Sequence, residues 1–444
     1  MKLVFDALKE RGVLLRNAPH LVQKKLFVIP CYSIWERYKY FIGLKLYDWL
    51  AGPLSFGSSK TISAKKMLQL FPTINNKNLK GGVTYYDGQF DDARLAINLA
   101  QTAVENGAVV LNYLQVVSLE KEDDKLSGVT AIDNETGKKY YLKAKCIINA
   151  TGVFVDDILK MDDAVRKPLV RPSQGVHIVV DKSFLPGDNS LLIPKTPDGR
   201  VLFAVPWHDH VVIGTTDTAL DKHSLEPTVT EKEVQFILDT VAQYLKIPPE
   251  RKDILTVFAG LRPLAASEDH KEKTKEISRD HKIITTSSGL ITITGGKWTT
   301  YRKMAVDVLN VAIDNGLLSM TTSRTKDLPV HGAPDRTNNS SLSIYGSDAE
   351  EIMQLQQAPS MNKKLVEGMA YTKAEVAWCI RNEMARTIED VLARRLRILF
   401  LNAQAAMEAA PIVAEILKNE LQQTEEWKEN QLADFFKLAK GYLP

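Results

Sequence analysis

Three cations in the second half of the chain have the types and surroundings to hold an anion. Arg262 lies in Gly260-Leu-Arg-Pro-Leu264, Arg279 in Ile277-Ser-Arg-Asp280, and Lys297 in Gly295-Gly-Lys-Trp-Thr-Thr-Tyr-Arg-Lys303. Two guanidiniums with an ammonium suit a doubly charged phosphate ester; a surface ion pair is the structural alternative for each arginine. The pair Gly295-Gly296 leaves a strand and opens a helix whose first turn holds Thr299 and Thr300. Backbone N–H groups there suit a phosphate or a developing anion, or simply form a tight turn capped by threonine. His177, in Ser173-Gln-Gly-Val-His-Ile-Val-Val180, reads either as a core histidine or as a base beside an alcohol carbon. Asn149-Ala-Thr-Gly152 is a small-residue turn at a strand end, where Ala150, Thr151 and Gly152 let a cofactor approach the backbone. His208 and His210 have no third ligand at metal spacing, so no metal is signalled.

These residues need a scaffold of two kinds. Residues 2–16 read as a helix, and Asp91–Gly107 as a second with acids at its start and glycine at its end. The run VVLNYLQVVSLEKE follows as a buried strand passing into an alternating one. Leu126–Asp133 and Lys138–Lys143 form a hairpin about Asn134–Gly137, and Cys146–Ala150 a return strand. That succession is an α/β nucleotide-binding pattern. Residues 165–285 change to short β-rich segments with one helix, an antiparallel sheet domain, before the chain returns to a strand, glycine turn and helix. Past Asp327 a Pro-, Asn- and Ser-rich linker leads into a nearly all-helical remainder. The expected divisions are 1–164, 165–285, 286–326, the linker 327–345, and a helical domain 346–444.

A chain of 444 residues that is 44% hydrophobic and 25% charged is long enough for two or three packed domains. Its net charge of +3 gives no nucleic-acid footprint. Cys31, Cys146 and Cys379 are scattered and form no C-x-x-C pair, as expected of reduced thiols in a cytosolic protein. Nothing resembles a signal peptide, and no apolar run reaches the length of a membrane span. Leu26–Leu50 is rich in aromatic residues with basic ones interleaved. It suits the inner face of the cytoplasmic membrane, or equally a segment packed beneath the rest of the protein.

Together, YYDGQFDDARL, INATG, QGVHIVV, VPWHDHVVIGTTD, AGLRPL, ISRDHKI and GGKWTTYRKMA resemble, in order and spacing, the FAD-dependent glycerol-3-phosphate dehydrogenases. EMARTIEDVLARRLRILFLNA is similar to the hallmark of their C-terminal helical cap. The resemblance implies an α/β fold, α+β overall, with an FAD-binding Rossmann-like domain interleaved with the antiparallel substrate domain. It implies that Arg262, Arg279, Lys297 and Thr300 hold glycerol 3-phosphate and that His177 sits near its hydroxyl. Ala150, Thr151, Gly152, Gly295 and Gly296 would line the flavin, and Val116 would meet the adenine through its backbone. The implied reaction yields dihydroxyacetone phosphate and passes electrons to a quinone. The family pattern begins with a strand and G-x-G-x-x-G, then a His-Gly-Gly-Leu-Arg-Tyr stretch, and neither occurs here. About sixty residues by family analogy are therefore expected to be missing, leaving the FAD-binding unit incomplete and FAD binding by these residues alone negligible. Two alternatives stand beside the dehydrogenase: a non-catalytic remnant that binds phosphate esters or a partner without FAD, and an oxidase that uses oxygen.

Overall fold

The computed structural model describes residues 2–51, 56–265, 280–333 and 341–444. Its strands are β1 (Gln23–Cys31), β2 (Lys60–Ile62), β3 (Gly81–Gln89), β4 (Leu114–Glu122), β5 (Lys125–Asp133), β6 (Lys139–Lys143), β7 (Ile148–Asn149), β8 (Val170–Asp181), β9 (Ser190–Ile193), β10 (Leu202–Trp207), β11 (His210–Gly214), β12 (Thr218–Ala219), β13 (Ile254–Ala265), β14 (His281–Thr285) and β15 (Ile291–Gly295). Its helices are α1 (Lys2–Asn17), α2 (Ile34–Ala51), α3 (Ala64–Leu70), α4 (Asp92–Glu105), α5 (Val155–Asp162), α6 (Glu231–Ala242), α7 (Tyr301–Asp314), α8 (Ala349–Gln356), α9 (Lys373–Asn382), α10 (Ile398–Leu401), α11 (Ala403–Glu420) and α12 (Glu425–Lys440).

The dominant sheet has nine strands among the described residues, in the order β12-β8-β11-β10-β9-β1-β3-β2, with β13 also paired to β8. Its members β1, β2 and β3 come from the stretch that sequence pattern assigns to the nucleotide-binding half. The boundary at 164/165 therefore divides the chain but not the sheet. Nor is the sheet purely antiparallel, since β1 runs parallel to β9 through Phe27↔Ser190 and Val28↔Leu191. Strand alternation sorts its two faces. On β8, Val176, Ile178 and Val180 enter the main core with Met67 and Phe71 of the α3 region and Ile237 of α6. Ser173, Gly175 and His177 occupy the alternate positions and face the other way.

Two smaller sheets complete the first 330 residues: β14-β15-β7, with β15 parallel to β7, and the meander β4-β5-β6. The hairpin about 134–137 lies where the sequence predicts it. The predicted buried strand does not begin at Val109. Residues 108–113 form no strand, and Val109 and Leu111 are 86% and 63% exposed. Apolar β-propensity needs a sheet partner to act, and the described residues give this segment none. The return strand is likewise only Ile148–Asn149.

The C-terminal helices close around their own core, which includes Val376, Leu392, Leu399, Ala406 and Val413. The cap is fixed to the rest by a fully buried ion pair between Arg94 of α4 and Glu383. Removing one partner would leave an uncompensated charge in the interior, so this contact specifies where the cap sits. Arg397 adds a second joint: its guanidinium lies over the rings of Phe400 and Trp207, 4.5 and 5.3 Å from their centroids.

Candidate active site

β8 and β13 are antiparallel neighbours, and their register pairs His177 with Phe258, Gly175 with Gly260 and Ser173 with Arg262. Cross-strand pairing therefore puts the histidine and the arginine on one face, the one turned away from the core. The His177 ring stacks on Phe258, with centroids 5.0 Å apart and planes 15° from parallel. On its other flank is Gly214 of β11, its partner in register. A Cβ at position 214 would stand 2.2 Å from His177 Cδ2. Arg262 is placed in the same manner. A Cβ on Gly175 would lie 2.4 Å from its Nη2. The guanidinium donates to the Thr216 carbonyl at 3.3 Å and the Thr215 hydroxyl at 3.1 Å, and is 3.9 Å from Asp217. These two glycines belong to motifs visible in the sequence, yet neither stands out there.

Burial, with the Arg262 charge second, pushes the His177 imidazole down to about 4, so the ring is neutral at pH 7. The His177 side chain as a whole is half-buried. The ring is walled on its flanks by Phe258 and Gly214. Its Nδ1 is buried without a hydrogen-bond partner among the described residues. Behind it, Phe258 meets Phe400 of the cap edge-on at 4.8 Å, and Phe400 meets Tyr442 at 5.5 Å.

The second cluster lies where β7 and β15 end. Ala150 and Thr151 are exposed, and Gly152, Gly295 and Gly296 have φ of 64°, 76° and 79°. A Cβ on Gly295 would approach the Asp280 carbonyl to 2.8 Å, so the turn requires glycine for its backbone and for its space. Asn149 ties the turns together, donating to the Val155 carbonyl at 2.9 Å and the Thr292 hydroxyl at 3.3 Å while accepting from the Thr151 hydroxyl at 2.8 Å. A shelf of small residues with open backbone fits the edge of a flat ring such as a flavin's. Val116 is half-buried on β4, just before a break in register with β5.

Lys297 follows the glycine pair. Among the described residues its ammonium has no hydrogen bond or ion pair. It lines a cavity of about 260 Å³ with Arg11, Tyr47, Asp87 and Phe90, a wall that includes neither Arg262 nor His177. Arg11 is almost wholly buried there, paired to Asp87 at 2.7 Å. Thr300 is buried and its hydroxyl donates to the Lys297 carbonyl at 2.9 Å, which closes the turn. Arg279 lies outside the described residues. The structure thus joins His177 with Arg262, and the 150–152 turn with the 295–296 turn. β13 and β15 bring the two groups near one another, since a Cβ on Gly295 would be 3.5 Å from the Ala265 Cβ.

Residues 1–302 match the family model described as FAD dependent oxidoreductase, and residues 291–430 that of the C-terminal domain of alpha-glycerophosphate oxidase. The mitochondrial glycerol-3-phosphate dehydrogenase of Arabidopsis thaliana is 40% identical, over all of this chain and 76% of the relative. The chain belongs to the FAD-dependent glycerol-3-phosphate dehydrogenase family. FAD is the cofactor of that family. The human mitochondrial glycerol-3-phosphate dehydrogenase is 38% identical over 97% of this chain, which spans only 63% of that relative's length. Among solved structures, the glycerol-3-phosphate dehydrogenase of Bacillus halodurans complexed with FAD superposes with a TM-score of 0.81. It shares 27% identity and covers 100% of this chain and 86% of its own.

Proposed function

We propose that this chain carries the substrate-binding and proton-accepting face of an enzyme that oxidises sn-glycerol 3-phosphate to dihydroxyacetone phosphate. The observation that carries the reading is the pair Arg262 and His177, a cation beside a neutral imidazole on one sheet face. Arg262 holds the phosphate by charge-assisted hydrogen bonds. That anchorage fixes the distance of the alcohol carbon from the shelf at 150–152 and 295–296. His177, uncharged at working pH, accepts the hydroxyl proton as the carbon gives up its hydride. FAD, when bound, supplies the two-electron acceptor. Family membership supports the substrate, and the relatives' names refer to it.

We further assign the onward acceptor as a quinone, reached at a lipid surface through α2. Ile34, Trp35, Tyr38, Ile42, Leu46 and Trp49 are exposed, the two tryptophans by 83% and 74%. At 100° per residue, the five from Trp35 onward fall within about 80° of arc, with Lys39 and Lys45 just outside its two edges. The opposite side, with Tyr40 and Leu44, packs on Phe27 and Tyr85. An aromatic stripe between lysines suits an interface with anionic lipid. No helix among the described residues is long and apolar enough to cross a membrane.

The test is turnover of glycerol 3-phosphate with a soluble quinone by purified protein whose flavin absorbance shows bound FAD. Arg262→Ala is expected to lower kcat/KM at least a hundredfold, about 3 kcal/mol of lost contact. A loss under threefold would remove Arg262 from the site, and equal rates with oxygen alone would assign an oxidase.

A further inference from the structure

The strap that receives Arg262, Thr215–Thr218, is itself held from beneath by one buried carboxylate. Glu233 stands in the first turn of α6, 6% exposed. It closes a capping box, its Oε2 accepting from the Thr230 amide at 3.2 Å and the Thr230 hydroxyl at 2.8 Å. A capping box accounts for no more than those two bonds. The same oxygen also accepts from Gln174 Nε2 of β8 at 3.0 Å. Oε1 accepts from the hydroxyls of Thr216 at 3.2 Å and Thr218 at 2.8 Å. Thr216 is the link in the chain. Its hydroxyl oxygen accepts the Val176 amide at 3.0 Å, and its carbonyl accepts Arg262 Nη1.

We propose that Glu233 is the positioning residue for the phosphate-binding arginine: through Thr216 it fixes where the Arg262 guanidinium points, and so sets the affinity of the site for a phosphomonoester dianion. The inference rests on the reading above that Arg262 holds the phosphate. Thr216 and Thr218, alternate residues of the strap, both hang from Oε1. The strap is also paired to β8 through Thr218 and held by Arg200 at Asp217, and the Glu233 bonds are the ones that reach the residue Arg262 leans on. A buried acceptor that satisfies five donors at once is costly to replace, because each donor left over is stranded without water. Glu233→Gln keeps its oxygen toward the three donors at the Oε2 place and sets its amide nitrogen, a donor, against the Thr216 and Thr218 hydroxyls at the Oε1 place. The strap is then released at Thr216, and the guanidinium that leans on it loses its bearing.

The test measures inorganic phosphate binding to the 444-residue chain by calorimetry, which needs no turnover. Glu233→Gln is expected to weaken phosphate at least tenfold, and Thr216→Val, which removes the link and keeps the shape, to do the same. In an Arg262→Ala background neither substitution should weaken it further, since the group being positioned is gone. If Arg262→Ala weakens phosphate while Thr216→Val and Glu233→Gln leave it unchanged, the positioning role is overturned although the arginine site stands. The role falls too if both substitutions weaken phosphate to the same extent with and without Arg262, or if Glu233→Gln lowers only the melting temperature. Phosphate affinity that is unaltered in Arg262→Ala sinks the underlying reading and this inference with it. Should Glu233→Gln fail to fold, Thr216→Val decides alone.

Discussion

The His177 ring occupies the volume that a side chain at position 214 would take. Gly214→Ala would force the ring off Phe258 or push β11 away from β8, and overpacking of that kind costs about 1–3 kcal/mol. We expect the variant to fold, to bind phosphate as before, and to lose turnover to the same extent as His177→Ala, on the order of a hundredfold. Turnover within threefold of the unaltered protein would show that the ring need not lie where it does. This dependence of one residue on another was half legible in the sequence. QGVHIVV and VVIGTTD each display their glycine, but only the register Gly214↔His177 shows that one serves the other. Glu233 was hidden for the same reason. An acid three residues after Thr230 is a helix-start signal, and nothing linear connects it to Gln174 or Thr216.

At the scale of elements, the joint between α4 and the segment leading to the cap carries two histidines with opposite pH behaviour. His331 lies between Asp348, 2.9 Å from its Nε2, and Glu105. The hydrogen bond to Asp348 is the chief cause that raises it to about 9, against its burial. Its ion pairs therefore stabilise the fold fully below pH 6.5, and that contribution is lost as pH rises from 6.5 through 9. Burial pushes nearby His20 the other way, to about 4. The fold resists protonating it, so stability falls as pH drops from 6.5 toward 4. Between them these two histidines favour the fold most near pH 6.5. His331→Ala should flatten the alkaline limb by on the order of 2 kcal/mol, allowing for partial exposure, and leave the acid limb in place. An alkaline limb as steep in the variant as before would place its cause elsewhere. Neither histidine stood out in the sequence, because their partners are far away along the chain. The helices did stand out: acids at the start of α4, glycine after it, and the periodicity of α1 are local signals. The strand expected from Val109 was not realised, because a strand is a property of a pair.

For the whole molecule, α2 projects an apolar stripe away from the sheet that supports it. If this stripe rests on lipid, the protein should sediment with anionic vesicles, and Trp35→Glu with Trp49→Glu should reduce that partition at least tenfold without altering phosphate binding. Undiminished sedimentation of the double variant would mean that α2 is not the contact. The sequence left this segment open between a lipid surface and internal packing; in the fold one side of it packs inward and the other stays exposed. Tyr40 and Leu44 face inward and the tryptophans outward, a division that needs the helix to begin after Pro30 rather than run through it. Domain architecture was the least legible level. Composition shifts near residue 165, but sheet membership does not, because β1 and β3 are built into the later sheet.

That shared sheet has a consequence for how the chain is made. On a ribosome adding roughly 5–20 residues per second, β1 and β3 emerge long before Ser190 and Leu191, the β9 residues that β1 pairs with. For roughly ten to thirty seconds the nascent chain presents Leu26–Cys31 as an apolar strand with one edge uncovered. Lys24 and Lys25 stand at its entrance, and Pro30 lacks a donor on an edge where β9 will later cover only Phe27 and Val28. Charges flanking such a strand and a proline within it are the gatekeepers that keep a waiting edge from pairing with a second nascent chain.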